Sequence, residues 1–417
     1  MTTPRRDPLP SRFTRIAWSS VLTQLAEQIA LVAVPLAAVL MLRAGATETA
    51  LLQVAQTLPF LVLALPFGLV IDRTSPQRVL IASELLRMAT LGGIVVLITL
   101  DALSFGALLA LSCVGAIGTV GVSVAVPSSV PRLVDAARLM DANRWLELGR
   151  STAFVSGPVL AGAIVSAAGA GAALVVATIA CAAAGVLLIR LDIPRNAPSP
   201  RTSAWSEAAD GMRYVLSHRF LRPMIATSTI FNIGWFLIQA VFVVYALDWL
   251  GMTPATVGLA MGAYGAGMVI GAALSQPLSR RLRFGVMTVL GPAGGFIAAM
   301  LMATSLWIPS PALAFASFFL FGLGPVLWTI STTSLRQAVT PASLIGRVSS
   351  LVVVSTYGAR PIGAGLGVAI SATFGMTWCI AAAVIVFALQ LLVVLASALP
   401  AVRELPTASE QTPAPAT

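Results

Sequence analysis

Three polar side chains lie close together inside the first long apolar run of the chain, Gln24, Glu27 and Gln28. Their i, i+3 and i+4 spacing places them on one face of a helix. An ionisable residue in such apolar surroundings is costly and is a functional candidate by default. We expect this face to line an internal cavity, where Glu27 binds and releases a proton. The alternative is a structural carboxylate that is permanently paired with a neighbouring helix.

Two further sites combine charge with apolar surroundings. Glu84 and Arg87 have i, i+3 spacing and can pair on one helix. Such a pair would brace an internal gate, and a proton-coupling role for Glu84 is the alternative. Arg360 precedes Pro361 in another apolar run. It needs an anionic partner, either Asp72 or Glu84 in a gate, or an anionic substrate.

Polar and aromatic residues form two stripes in the second half of the chain. Amides and indoles on one helical face suit a cavity for amphipathic ligands. The alternative is packing between helices, which polar membrane helices also need. The first stripe comprises Asn232, Trp235, Phe236 and Gln239, and the second comprises Trp328, Ser331 and Thr332. Close helix packing alone is predicted for the small residues Gly258, Gly262, Gly267 and Gly271.

The composition indicates the elements that must position these residues. The chain has 417 residues, of which 58% are hydrophobic and only 10% charged. Soluble domains carry about 25% charged residues. No nucleotide-binding loop, zinc-ligand pattern, nucleophile elbow or dinucleotide fingerprint appears in the sequence. We therefore expect an integral membrane protein that is not an enzyme and has no cofactor or metal.

Apolar runs of about 20 residues are long enough to cross a bilayer as helices. We predict an all-α polytopic membrane protein with twelve transmembrane helices in two six-helix bundles. The spans lie near residues 16–41, 50–71, 79–100, 103–127, 146–168, 171–190, 223–249, 256–279, 284–306, 310–333, 346–374 and 377–399.

The arginines define the orientation of these spans. With the N-terminus in the cytoplasm, nearly all of them fall in cytoplasmic loops, and only Arg43 falls outside. Both termini are therefore predicted to be cytoplasmic, in a bacterial inner membrane. This distribution accounts for the net charge of +10 through contact with the lipid bilayer, without a nucleic-acid partner.

The apolar pattern also predicts the domain organisation. We expect an N-terminal bundle over residues 1–190, a cytoplasmic linker over 191–222 and a C-terminal bundle over 223–400. Within the linker, Trp205, Ala208, Ala209, Met212, Val215 and Leu216 recur at helical spacing, which is typical of an amphipathic surface helix. The Pro-, Ala- and Thr-rich tail, residues 401–417, is predicted to be disordered.

Several motifs together resemble the major facilitator superfamily. Gly68, Asp72, Arg73 and Arg78 form its loop motif after the second span. Further matches follow in the right order, and they are similar to the subgroup of the enterobactin exporter and macrolide-efflux proteins. They are Glu27 to Leu36, Gln56 to Pro59, Glu84 to Arg87, Asn143, Gly157-Pro158 with Gly162 (the helix-5 motif), Arg336-Gln337, Thr340-Pro341 and Gly346-Arg347.

The resemblance implies a secondary transporter that exports small amphipathic molecules by alternating access. From the residues themselves we expect proton antiport with Glu27 and Glu84 as coupling residues, and a gate formed by the loop motif with Arg87 and Arg360. The expected partners are a drug, secondary metabolite or siderophore and protons, and the protein is expected to be a monomer. Proton-coupled nutrient uptake and a non-transporting membrane sensor are the alternatives.

Overall fold

The computed structural model describes residues 10–135, 138–189, 191, 193, 212–340 and 344–403. These residues form helices and connecting turns without a strand, which confirms the all-α prediction. The helices are α1 (Ser11–Leu42), α2 (Ala46–Arg73), α3 (Pro76–Thr99), α4 (Phe105–Leu133), α5 (Leu139–Leu188), α6 (212–217), α7 (Leu221–Val244), α8 (Pro254–Arg281), α9 (Phe284–Thr304), α10 (Pro311–Val339), α11 (Ile345–Thr373) and α12 (Met376–Leu395).

Helix α5 contains both the fifth and the sixth predicted spans. Its backbone breaks at Gly169, where φ is 84° and ψ is 167°. Glycine adopts this conformation because it has no Cβ. With the two parts of α5 counted separately and the short α6 left aside, the described residues contain the twelve predicted helices of membrane length.

Nine helices in the described part of the chain are apolar and long enough to cross a membrane, with α5 counted once over Trp145–Leu188. Helices α2 and α11, with 28 and 29 residues, are also long enough to cross a bilayer. The protein is thus an integral membrane protein.

The chain divides into two compact units. The first comprises Met1–Ala44 and Ala55–Ser199, and the second comprises Gly45–Val54 and Pro200–Thr417, with the described residues as given above. The division falls within the predicted linker. Trp205, Ala208 and Ala209 of the predicted surface helix lie outside the described residues, as do residues 404–417 of the predicted tail.

In the first unit, small residues bring helices together. Helix α5 packs along α1, and a Cβ added at Gly157 would overlap the side chain of Gln28. Helix α4 packs along α3, and a Cβ at Gly118 would overlap the backbone of Ser83 and the side chain of Arg87. These contacts place the polar residues of α1 and α3 in the interior of the unit.

In the second unit, α8 and α10 pack so closely that their backbones are in contact. A Cβ added at Gly267 would overlap the carbonyl oxygen of Phe319, and one at Gly322 would overlap that of Tyr264. Gly271 lies against the carbonyl oxygen of Leu323. The predicted role of Gly267 and Gly271 in close helix packing is therefore confirmed.

Replacing Gly322 with alanine tests this contact. Because the new methyl group has no space, we expect Gly322→Ala to lower the stability by about 1–3 kcal/mol. The matched control is Gly365→Ala on α11, where nothing lies within 4 Å of the added Cβ. Thermal unfolding of the purified proteins measures the difference. Equal unfolding temperatures for the two variants would contradict the packing described here.

His218 shapes the start of α7 and is the only histidine of the chain. Its Nδ1 accepts hydrogen bonds from the backbone N–H groups of Phe220 at 3.2 Å and Leu221 at 3.4 Å. Burial, and to a smaller extent the charge of Arg219, lower the pKa of His218 below its ordinary value. The folded protein therefore favours the neutral imidazole.

This shift predicts a pH dependence of stability. The unfolded chain takes up a proton at His218 near pH 6.5, before the folded protein does. The stabilising contribution is therefore complete above about pH 6.5 and is lost as the pH falls below it. We expect His218→Asn to remove this component, as seen in unfolding temperatures between about pH 5.5 and 7.5. An unchanged pH dependence in the variant would refute the assignment.

Candidate functional site

Glu84 and Arg87 form a buried ion pair on α3. Arg87 Nη1 lies 3.4 Å from Glu84 Oε1, and the side chains are 4% and 1% exposed, respectively. The Thr23 hydroxyl donates to the same carboxylate oxygen at 2.5 Å, and Arg87 Nη2 donates to the Thr23 carbonyl at 3.1 Å. The predicted pairing is confirmed, and its role in a gate or in proton coupling stays a prediction.

Glu27 joins the pair from α1 in one cluster. Its charge interacts with that of Arg87. Glu27 and Arg87 also line a common cavity of about 90 Å³ in the interior of the first unit. The other lining residues are Ala30, Leu31, Val34, Gln56, Phe60, Thr90, Leu91, Ile94, Leu111, Ser112, Gly115, Ala116 and Thr119.

The cluster contains two carboxyl groups and one guanidinium group. Counted alone, two ionised carboxylates and one guanidinium carry one net negative charge, which is unfavourable in apolar surroundings. A proton-coupling role for Glu27 and Glu84 stays a prediction.

Three buried oxygens at or beside the cluster have no hydrogen-bond partner among the described residues. They are Glu84 Oε2, Gln56 Oε1 and Ser112 Oγ. Gln56 and Ser112 line the cavity, and the Cys181 thiol lies beside the Glu84 carboxylate. A cavity of about 90 Å³ has room for a few water molecules, which can bridge groups of this kind. This arrangement suits proton exchange between Glu27 and water.

Four hydroxyl residues at this site are not evident from the sequence pattern: Thr23, Thr90, Ser112 and Thr119. Single hydroxyl residues in apolar helices often bond to the backbone of their own helix, as Thr90 does to Leu86 and Arg87. A serine or threonine in an apolar segment of the sequence therefore does not by itself indicate a cavity-lining residue. Only the packing of α1, α3 and α4 brings these hydroxyl groups together.

The predicted polar face of α1 divides between two environments. Gln28 is 5% exposed and packs against Gly157 of the helix-5 motif, in which Pro158 and Gly162 are also buried. Gln24 is half-buried, and neither amide lines the cavity that Glu27 lines. Consecutive residues differ in direction by about 100° around a helix axis. Glu27 and Gln28 can therefore face different neighbours, and the role of the amides in substrate binding stays a prediction.

The aromatic stripe of α7 is part of a packed cluster in the second unit. Trp235 stacks on Tyr264 at a centroid distance of 4.7 Å and meets Phe318 and Phe321 edge-on at 5.4 and 5.2 Å. It is 8% exposed. Trp235 thus joins α7 to α8 and α10, while Gln239 is half-buried.

Polar side chains from both stripes form hydrogen bonds with groups of the second unit. Asn232 Nδ2 donates to the Ser228 carbonyl at 2.9 Å, and Trp328 Nε1 donates to the Ser228 hydroxyl at 3.2 Å. Ser331 and Thr332 donate to carbonyls of their own helix. These hydrogen bonds hold the four side chains within the second unit. Substrate contact by the stripes stays a prediction.

The predicted gate residues lie on three helices. Arg360 of α11 is placed over the rings of Tyr357 and Phe236, at 4.0 and 5.2 Å. Such cation–π contacts stabilise a guanidinium in apolar surroundings. Its pairing with a carboxylate stays a prediction. Gly68, Asp72 and Arg73 lie in the last turns of α2, with side chains outside the described set, and Arg78 is exposed on α3.

A family model of the Major Facilitator Superfamily matches residues 16–364. The chain belongs to this superfamily. Its curated relatives and its structural neighbours are membrane transporters. The order of its helices and their packing into two units agree with this membership, and the predicted resemblance is confirmed.

The relatives with known names include enterobactin exporters. The chain is 28% identical to the enterobactin exporter EntS of Salmonella typhi over 261 residues, which is 60% of this chain and 59% of the relative. It is 27% identical to the exporter of Escherichia coli O1:K1 over 261 residues, with the same coverage. The matched region thus spans less than two thirds of these relatives.

Solved structures share the fold over nearly the whole chain. A bacterial homologue of the iron transporter ferroportin, in an inward-facing state, has a TM-score of 0.74 at 16% identity and covers 94% of this chain and 99% of its own. A transporter of the POT family in complex with 5-aminolevulinic acid has a TM-score of 0.76 at 10% identity, covering 93% and 95%, respectively.

The buried Glu84–Arg87 pair and the exposed Glu147–Arg150 pair have the same i, i+3 spacing. Comparing them tests how much stability depends on an ion pair when it is buried. We expect Arg87→Met to destabilise the protein by about 3–5 kcal/mol, because it leaves Glu84 buried without its cation. Adding Glu84→Gln should recover a large part of this loss. The control is Arg150→Met, since the Glu147–Arg150 pair is 57% and 43% exposed. It should cost less than about 1 kcal/mol.

Denaturant or thermal unfolding of the four purified proteins gives these differences. The comparison between the single and double variants at residues 84 and 87 isolates the charge from the packing. If Arg87→Met and Arg150→Met had the same effect, or if Glu84→Gln made the Arg87→Met protein less stable still, the buried ion pair would not have the described role.

Proposed function

We propose that the protein exports a small amphipathic molecule across the bacterial inner membrane in exchange for protons. The observation that carries this proposal is the buried cluster of Glu27, Glu84 and Arg87 beside a cavity with a mostly apolar lining. Membership of the superfamily and the similarity to enterobactin exporters support the direction of transport.

Glu27 is the proposed proton carrier. It lines the cavity and is therefore accessible to water or substrate, whereas Glu84 is 1% exposed and fixed by Thr23 and Arg87. When Glu27 is protonated, Arg87 pairs with Glu84 and the cluster is neutral. When Glu27 releases its proton, it competes for Arg87 and adds a buried negative charge. This charge favours a conformation in which water or a cationic group reaches Glu27.

The two protonation states would be linked to alternating access. Arg87 contacts the region of α4 around Gly118, and Thr23 of α1 contacts both members of the ion pair. A change of charge at Glu27 therefore acts on α1, α3 and α4 together. In this proposal the inner gate comprises Gly68, Asp72, Arg73, Arg78 and Arg360.

The proposed substrate is amphipathic. The cavity beside Glu27 combines a few hydroxyl and amide groups with a mostly apolar lining, and apolar walls with few polar groups suit such ligands. In the second unit, the proposal assigns substrate contact to Phe236, Gln239 and the other stripe residues. A siderophore, a drug or a secondary metabolite meets this description. Both termini would lie in the cytoplasm, and the monomer would be the transporting form.

Replacing Glu27 with glutamine tests the coupling. We expect Glu27→Gln to fold normally, because it retains the shape of the side chain, and to lose export that depends on the proton gradient by at least about tenfold. The control is Glu147→Gln, which removes an exposed carboxylate on α5. The measurement is accumulation of catecholate siderophores and macrolides in cells, with and without a protonophore.

The control should behave as the wild type. Export by Glu27→Gln that remains sensitive to the protonophore would refute the role of Glu27. Accumulation driven inwards by the proton gradient would contradict export and would favour an uptake symporter. Wild-type cells that show neither effect with any compound would contradict the proposed substrate class.

A further inference from the structure

The turn between α8 and α9 is strongly basic. Arg280 and Arg281 end α8, and Arg283 immediately precedes α9. With Arg403 they line a cavity of about 760 Å³ within the second unit. All four side chains are exposed, and none forms an ion pair with another residue in the part of the chain that the structure describes.

Arg403 is held in this cluster by the chain that follows α12. The backbone N–H of Phe284 donates to the Arg403 carbonyl at 3.3 Å, and the N–H of Gly285 donates to the Val402 carbonyl at 2.7 Å. A Cβ at Gly285 would overlap the carbonyl of Pro400, so the segment lies directly on the start of α9. Two distant parts of the sequence therefore contribute arginines to one concave surface.

The remainder of the cavity is both polar and apolar. Ser275, Gln276 and Ser279 supply hydroxyl and amide groups, and Phe284, Met287 and Ile330 supply apolar groups. No carboxylate is found among the described lining residues. Leu274 and Val286, which are 41% and 42% exposed, extend the apolar surface beside the turn.

Neither the orientation of the spans nor helix electrostatics explains this arrangement fully. Arginines at the end of α8 do interact favourably with the negative end of that helix. Arg283 and Arg403, however, lie at the start of α9, where the positive end of the helix dipole disfavours a cation. The concave shape and apolar lining are also not required to orient a membrane span. An anion at this position would compensate both the arginines and the helix end.

We propose that this cavity binds the headgroup of an anionic phospholipid. The phosphodiester would accept hydrogen bonds from Arg281, Arg283 and Arg403, while the acyl chains would lie along Leu274, Val286 and Ile330. Basic pockets between membrane helices on the cytoplasmic side bind anionic headgroups in this way. The apolar side chains favour a lipid over a free phosphate. The proposal depends on the membrane topology and not on the proposed export function.

The test compares two double variants with the same change in net charge. Arg281→Gln with Arg403→Gln removes two cavity arginines. Arg213→Gln with Arg222→Gln removes two exposed arginines of the same unit that do not line the cavity. Binding of phosphatidylglycerol to the full-length protein in detergent is measured by native mass spectrometry. Phosphatidylcholine with the same acyl chains is the control lipid. Inorganic phosphate is added as a competitor for the headgroup site.

An arginine near a charged membrane surface contributes roughly fivefold to lipid binding, so the cavity variant should bind phosphatidylglycerol about 25-fold more weakly. The control variant should stay within about twofold of the wild type, phosphatidylcholine should bind weakly, and millimolar phosphate should not displace the lipid. If the cavity variant does not fold, Arg280→Gln with Arg283→Gln serves in its place.

Three results would overturn the proposal. Equal losses in the cavity and control variants would indicate diffuse attraction to the surface. Equal binding of phosphatidylcholine and phosphatidylglycerol would exclude recognition of the anionic headgroup. Displacement of the lipid by inorganic phosphate would identify a site for free anions instead.

Discussion

The packing of α1 against α3 in the first unit depends on the contacts of the buried Arg87 guanidinium. A guanidinium in apolar surroundings is stable only with an anion and with acceptors for its remaining N–H groups. Glu84 supplies the anion and the Thr23 carbonyl supplies an acceptor, from α3 and α1, respectively. This requirement fixes the relative positions of the two helices. The proposed proton coupling rests on the same requirement, because Arg87 lies near a second carboxylate, Glu27.

Close packing of helices makes this cluster possible. Gly118 admits the Arg87 side chain between α3 and α4, and Gly157 admits Gln28 between α1 and α5. Larger residues would separate the helices and open the cluster to the surrounding lipid. The second unit uses the same principle at Gly267 and Gly322 but surrounds Trp235 with aromatic rings. The two units therefore share a mode of packing and differ in their polar content.

The sequence predicts the helices and the Glu84–Arg87 pair because both depend on local spacing. Apolar runs and arginine positions define the spans, and an i, i+3 pair needs no knowledge of other helices. The position of Glu27 beside Arg87, in contrast, depends on the contact between α1 and α3, which lie far apart in the sequence. For the same reason, the sequence pattern does not single out Ser112 and Thr90 as cavity residues. Glu27 faces the cavity and Gln28 faces Gly157 because different helices pack on the two sides of α1. The break at Gly169 separates two spans that form one continuous apolar region of the sequence.

The proposed coupling requires that the cluster of Glu27, Glu84 and Arg87 exchanges one proton and that Glu27 carries it. Infrared difference spectroscopy between acidic and alkaline pH detects the carbonyl stretch of a protonated carboxyl group directly. Purified wild type, Glu27→Gln and the surface variant Glu147→Gln would be compared in the same lipid. A proton carried by Glu27 predicts one titrating carboxyl band from the membrane interior in the wild type and in Glu147→Gln, and loss of this band in Glu27→Gln. An identical band in Glu27→Gln would assign the proton to another group and would refute the role of Glu27.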